Sequence, residues 1–213
     1  MLRRSGFAND KRAYMCDRSY ADCNEVYSPY INFDELKDSN FIYGGWILNH
    51  DLTVSSSQIL ELYDGQYLDM NHFTLTIYGT CNIGGYIYNA DSIVNKATMN
   101  ILSTGQIASP VTFTNDNIIN NKGFIFGQSN SIFKNNGQIN NNGKFQMNPN
   151  SIFQNDGPFT NHSTILNEGT IHDNSTIDNF GDFFNSGIIY NRGTIYTNYD
   201  SGKFENNGYI LVF

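Results

Sequence analysis

The sequence predicts an all-β fold: a single-stranded parallel β-helix, built as a three-sided solenoid of 18–20 residues per coil behind an irregular N-terminal cap or arm. Three observations carry this. From Ile101 to Ile195 a large apolar residue recurs every six or seven positions. Glycine often stands two positions before it, as in Gly181 and Phe183, Gly187 and Ile189, Gly193 and Ile195. Asparagine often stands two positions after it, as Asn185 and Asn191 do. An α-helix needs apolar residues every three or four positions, so this step is wrong for one. Hairpin sheets do not hold so constant a step through so many turns. One short strand and one corner use about six residues, and three such units close a coil.

The 213 residues suffice for one core and divide into an arm, 1–40, and a β-helix, 41–213. The arm lacks the six-residue rhythm and is rich in tyrosine, with Tyr14, Tyr20, Tyr27 and Tyr30. A stacked-strand body needs its first coil covered, so the arm is expected to act as a cap. The alternative is an arm that docks on a neighbouring subunit. From Phe41 to Asn100 short runs such as FTLTIYG and GYIYN alternate with Gly, Asn and Asp, which says strand and turn. One weakly helical window, Ala90 to Met99, is read as a helix or a loop. The segment LTVSSSQILELYDGQYLDMNHFTLTIYG resembles the opening coils of a right-handed parallel β-helix, so the right hand is favoured.

Taking every third apolar residue sorts the rhythm into columns. The first side takes Ile107, Ile125, Phe145, Ile165, Phe183 and Phe204. The second takes Phe113, Ile132, Ile152, Ile171, Ile189 and Ile210, and the third Ile101, Ile119, Ile139, Phe159, Ile177 and Ile195. Side chains alternate along a strand, so the residues two before and two after each column member share its inward face. The small residue before it is glycine because the corner is narrow, or because the corner needs a left-handed backbone. After the third column come Asn121, Asn141, Asn161 and Asn179. Stacked at one strand spacing, these four amides are expected to form a hydrogen-bonded ladder along the axis. The competing account is that asparagine is merely tolerated at turns and enriched by an AT-rich genome. The nine-residue step from Ile195 to Phe204 predicts a protruding loop, whose Tyr196 and Tyr199 join the arm tyrosines as candidate interaction residues. The final YILVF reads as a bare edge strand open to pairing.

Composition narrows the chemistry. The net charge is −8, and residues 26–213 carry −9 of it, which disfavours a phosphate backbone, so no nucleic acid partner is expected. No run of about 18 apolar residues predicts a membrane span. No apolar stretch follows the basic start, so no secretion signal is recognised. Cys16, Cys23 and Cys81 are read as reduced thiols rather than as a set containing a Cys16–Cys23 pair. They form no zinc pattern, and neither a phosphate loop nor a serine elbow occurs. No catalytic, cofactor-binding or metal residues are assigned, and no cofactor is expected. The nearest acids, Asp173, Asp178 and Asp182 beside His172, are read as solvated turn residues, with Asp173 and Asp178 on different sides.

Gly187 with Ile189 and Gly193 with Ile195 resemble the hexads of left-handed acyltransferases, but the seven-residue steps break that rule. Neither His162 nor His172 has a recognisable partner in the sequence. From about residue 101 onward the GxIxNxGxI coils resemble the Asn-rich β-solenoid surface proteins of bacterial filamentous adhesins and large DNA viruses. The resemblance implies a non-enzymatic structural element at a virion or cell surface, a minor capsid or spike protein, made without a recognisable secretion signal. It would self-assemble, or bind protein partners, through its arm and its solenoid ends. The alternatives are a glycan-binding adhesin module, with tyrosine and asparagine meeting sugars, and a polysaccharide-active β-helix enzyme.

Overall fold

The computed structural model describes residues 40–42, 45–108, 111–197 and 200–213. The chain is a parallel β-solenoid, with no helix among the described residues. Short strands of three or four residues follow one another around the axis, and each pairs with the strand one coil away. They stack into three sheets of 10, 9 and 8 strands, forming the first, second and third sides. Pairing is parallel except at the start, where Asn40–Ile42 runs antiparallel to Gly45–Ile47. Register partners lie 18 residues apart at Phe159 and Ile177, 20 at Ile119 and Ile139, and 21 at Phe183 and Phe204.

The repeat works because each four-residue strand alternates inward and outward. In strand Thr164–Asn167, for example, Ile165 and Asn167 are buried while Thr164 and Leu166 face out. The inward apolar residue fills the tube, and the residue two later lines the corner. Five phenylalanines from all three sides, Phe113, Phe133, Phe145, Phe153 and Phe159, meet in the middle of the tube with ring centroids 4.3–5.7 Å apart. Edge and tilted geometries of this kind add to the burial of each ring.

The first column stands as the sequence predicts, from Ile107 through to Phe204. The other two need correction. On the second side the inward residues are Phe133 and Phe153, which pair with each other, while Ile132 is 37% exposed and Ile152 points outward beside it. The corners before them are two residues longer, and they turn through left-handed Asn130 and Asn150 (φ 68° and 65°). The apolar steps there are therefore eight and six, not seven and seven. On the third side Met99, not Ile101, pairs with Ile119, and Ile101 instead pairs with Asn121 in the corner column. The window from Ala90 to Met99 holds two strands, Ser92–Asn95 and Thr98–Ile101, and neither a helix nor an open loop.

The recurrent glycines are explained by close approach alone. A Cβ on Gly157 or Gly193 would sit inside the carbonyl oxygen of Gly137 or Ser175, one coil below. Of the described glycines only Gly65 has a positive φ, so left-handed geometry is not their reason.

The register correction has a measurable consequence. Phe133→Ala should cost about 3–5 kcal/mol, as large-to-small core changes do, whereas Ile132→Ser should stay within about 0.5–1 kcal/mol. Urea unfolding followed by circular dichroism distinguishes the two, and equal effects would contradict the register.

Candidate functional site

The most ordered polar feature lies inside the tube, at the corners. On the third side Asn121 donates through Nδ2 to Asn141 Oδ1 at 2.6 Å, Asn141 to Asn161 at 2.7 Å, and Asn161 to Asn179 at 2.7 Å. All four asparagines are fully buried. The amide suits the position because it offers a donor on one side and an acceptor on the other. Each Nδ2 also reaches backbone carbonyls: that of Asn141 donates to Gly143 and Thr164, and that of Asn161 to Ser163 and Asp182. The Oδ1 atoms in turn accept from backbone N–H groups two residues on, as Asn121 does from Gly123 and Asn161 from Ser163. Buried corner groups that water cannot reach are thus satisfied.

Sequence reasoning missed three further ladders. On the second side Asn95, Asn115, Asn135 and Asn155 hand on the same bond at 2.8–2.9 Å, and Asn155 donates to Asp173. On the first side Asn167 donates to Asn185, and Asn185 to Asn206. The outer face of the third side carries a fourth, in which Asn140 donates to Asn120, Asn120 to Asn100 and Asn100 to Asn82. The signal for the second-side ladder was present in SIFKNNG and SIFQNDG, where asparagine stands two after phenylalanine rather than after isoleucine.

The candidate acids do not converge. Asp178 and Asp182 lie on the third and first sides and point outward, whereas Asp173 is on the second side. Asp173 is fully buried in the corner column, which corrects its reading as a solvated turn residue. His162 stacks on Phe180 and His172 on Tyr190, with centroids 5.1 and 4.9 Å apart, so ring partners on neighbouring coils account for both. Among the described residues no three His, Cys, Asp or Glu side chains converge to hold a metal ion. No helix there is long and apolar enough to cross a membrane. Cys81 is buried in the core, and burial pushes its thiol pKa upward.

Two surfaces remain. The outer face of the first side carries aromatic pairs, Tyr86 on Tyr88 and Phe124 on Phe126, each with centroids 5.0 Å apart. Lys144 lies over the Phe124 ring at 4.7 Å, and burial together with nearby Asp69 pushes the Tyr88 phenol up to about 12. The second surface is the last coil. The first coil's Leu48, Val54 and Leu60 are wholly buried, but Ile195, Phe204 and Ile210 are only partly so. Around them Tyr209, Val212 and Phe213 are 73%, 74% and 71% exposed. A recess opens there between Ile195, Tyr196, Thr197, Asp200, Phe204 and Ile210. Of the candidate interaction tyrosines, Tyr196 lies at this rim and is exposed. Tyr14, Tyr20, Tyr27, Tyr30 and Tyr199 lie outside the described residues, as do Cys16, Cys23 and nearly all of the arm.

Comparison with family models, with curated proteins and with solved structures finds no match for this chain. Its class rests on the fold itself, a parallel β-solenoid with buried asparagine ladders.

The ladder yields a paired expectation. Asn141→Ala removes both amide–amide bonds of this rung and its bonds to the Gly143 and Thr164 carbonyls, leaving Asn121 Nδ2 and Asn161 Oδ1 with the Lys144 carbonyl and the Ser163 N–H alone, and the loss should cost about 1–3 kcal/mol. Asn140→Ala, in the half-exposed outer ladder, should cost about 1 kcal/mol or less. Chemical denaturation of the two variants gives the comparison.

Proposed function

We propose that the chain is a non-enzymatic structural β-solenoid that builds a larger assembly at a virion or cell surface through the face of its last coil. The observation that carries this is the contrast between the two ends. The first coil's Leu48, Leu52, Val54 and Leu60 are buried and Trp46 is partly covered, whereas the last coil presents Tyr209, Val212 and Phe213 beside half-covered Ile195, Phe204 and Ile210. Three unpaired parallel strand edges surround them, Thr194–Thr197, Lys203–Asn206 and Tyr209–Val212. Such edges are templates for another strand layer. An apolar interior ringed by free N–H and C=O groups therefore suits a protein partner or a second copy. A tube whose coils are joined by backbone ladders on every side is also a stiff spacer, which is what a minor capsid or spike component needs.

The reading as a non-enzyme is supported by the scatter of the carboxylates: Asp178 and Asp182 occupy different sheets and Asp173 is sealed inside. A second reading, a glycan-binding module, is favoured by the outward Tyr86–Tyr88 and Phe124–Phe126 pairs, with exposed Gln106 between their coils. Flat rings beside amide groups suit sugar faces, and hits on a glycan array with monomeric protein would move the weight there.

Sedimentation velocity tests the first reading. The wild-type chain is expected to form oligomers, and Val212→Lys, which places a charge at the open end without touching a packed residue, should leave monomers with an unchanged circular dichroism spectrum. A wild-type chain that stays monomeric at every concentration overturns self-assembly through this end. Detection by mass spectrometry in purified particles checks the location.

A further inference from the structure

The second-side ladder contains one rung that is not an asparagine. Asp173 takes the same pose as the amides. Its Oδ1 accepts from Asn155 Nδ2 at 2.9 Å and faces the N–H of Ser175, as the Oδ1 of Asn161 faces that of Ser163. Its Oδ2 therefore occupies the place where every other rung holds an NH2 group, and this atom is buried with no partner. What surrounds that place is known from the other rungs. The Nδ2 of Asn115 donates to Asn117 O, Asn135 Oδ1 and Gln138 O, and that of Asn161 to Ser163 O, Asn179 Oδ1 and Asp182 O. By register the corresponding atoms at Asp173 are Ser175 O, Asn191 Oδ1 and Thr194 O, all acceptors. Asn191 Oδ1 is fixed in this role because it accepts from the Gly193 N–H at 3.1 Å.

A carboxylate oxygen among three acceptors, out of reach of water, is a charge without a donor, and such a burial is strongly unfavourable. A protonated carboxyl removes the conflict, since its O–H donates where the amide N–H otherwise would. We propose that Asp173 is a protonated rung, whose Oδ2–H donates toward Asn191, and that this proton ties strand Ile188–Asn191, on which the last coil stacks, to the body of the tube. Loss of the proton as pH rises loosens the contact between strand Thr170–Asp173 and strand Ile188–Asn191. The device is independent of whether the open end takes a partner, although the coil it holds leads into that end.

The surroundings agree. Burial raises the Asp173 pKa, the bonds from Asn155 and the Ser175 N–H oppose it, and nearby Asp156 adds to the rise. Asp156, at the corner of the coil below, is itself held by Gln154 and Asn174. At the corner of the coil above, the Arg192 guanidinium lies over the Phe213 ring at 5.2 Å. On the outward faces His172 stacks against Tyr190, and Asp178 belongs to the following strand on the third side. Across the tube the other two sides contribute Ile165, Phe183, Ile177 and asparagine rungs, so among the described residues no cation faces the carboxyl from within.

The sign follows from linkage. With its folded pKa raised, Asp173 contributes stability that is fully present below the ordinary aspartate value and is lost as pH climbs through the folded one. Within that window the folding equilibrium falls about tenfold per pH unit. Thermal melts of wild type and Asp173→Asn across acid, neutral and mildly alkaline pH give the test. The asparagine variant restores the rung used elsewhere, so it should fold, and its advantage over wild type should widen with pH through the window and then level off. Infrared spectra of wild type should show a protonated carboxyl band that Asp173→Asn abolishes at a pH where ordinary aspartates are ionised. A pH-independent difference in melting, or the absence of that band, overturns the proposal.

Discussion

The fold depends on one geometric constraint: every corner residue sits directly above its counterpart in the coil below, so the two groups must fit each other across one strand spacing. Strands stack at about 4.8 Å, which is too close for bulky side chains at a corner and too far for most small polar ones to reach each other. The asparagine amide spans that gap with a donor and an acceptor at fixed separation, so it repeats from coil to coil without a leftover charge. Asn115, Asn135 and Asn155 show how little freedom this leaves, with successive bonds of 2.8 Å. Glycine meets the same constraint in the opposite way. Where the backbone itself closes the corner, as at Gly157 over Gly137, no Cβ fits.

The apolar columns obey a looser rule, and this decides what could be read from the sequence. Any large apolar residue fills the tube, so isoleucine and phenylalanine interchange along a side, as Ile125, Phe145 and Ile165 do. That tolerance makes the rhythm easy to see and its phase easy to misplace. In SIF both Ile132 and Phe133 satisfy an apolar rule, and only the position of Asn135 two residues beyond Phe133 selects the inward one. The longer corner that shifts the phase is marked by Asn130 in left-handed geometry, a choice that asparagine makes more readily than other non-glycine residues. At Met99 the third ladder has not yet begun, since Ile83 and Ile101 occupy the corner column there, and the asparagine marker is missing. The strands near Ala90 were obscured for the same reason: in DSIVNKATMN the apolar residues are few, and only Asn95 keeps the corner rule.

The candidate site was legible only as far as it is periodic. The third-side ladder followed from spacing, and the outer ladder through Asn82 and Asn140 did not, because an outward asparagine is indistinguishable in sequence from a solvated one. The difference between the two ends was invisible for a deeper reason. Leu60 and Ile195 both occupy the inward position of the third column, and only the fold shows one sealed and the other half open. Exposure at a solenoid end is a property of what stacks next, which no local pattern encodes.

The ladders also give the tube a direction. In all three interior columns the amide donates toward the last coil, as Asn95 does through to Asn155, Asn121 through to Asn161, and Asn167 through to Asn185. The outer ladder donates the other way. The interior direction is fixed by the backbone, because Oδ1 must face the N–H two residues on, as Asn121 faces Gly123 and Asn191 faces Gly193. The consequence falls at the last coil, where the donors run out of side-chain acceptors and keep only carbonyls: Asn179 reaches Lys203 O on the coil above, and Asn206 reaches Gly208 O two residues on. The corner positions of the last coil, above Asn179, Asn185 and Asn191, are Thr197, Asn206 and Val212, no longer a uniform set of rungs. A surface laid on this end meets donors already turned inward and an exposed apolar rim. A partner of the proposed kind would therefore be held mainly by strand edges and by the side chains of Tyr209, Val212 and Phe213, and only to a small degree by continuing the amide stacks.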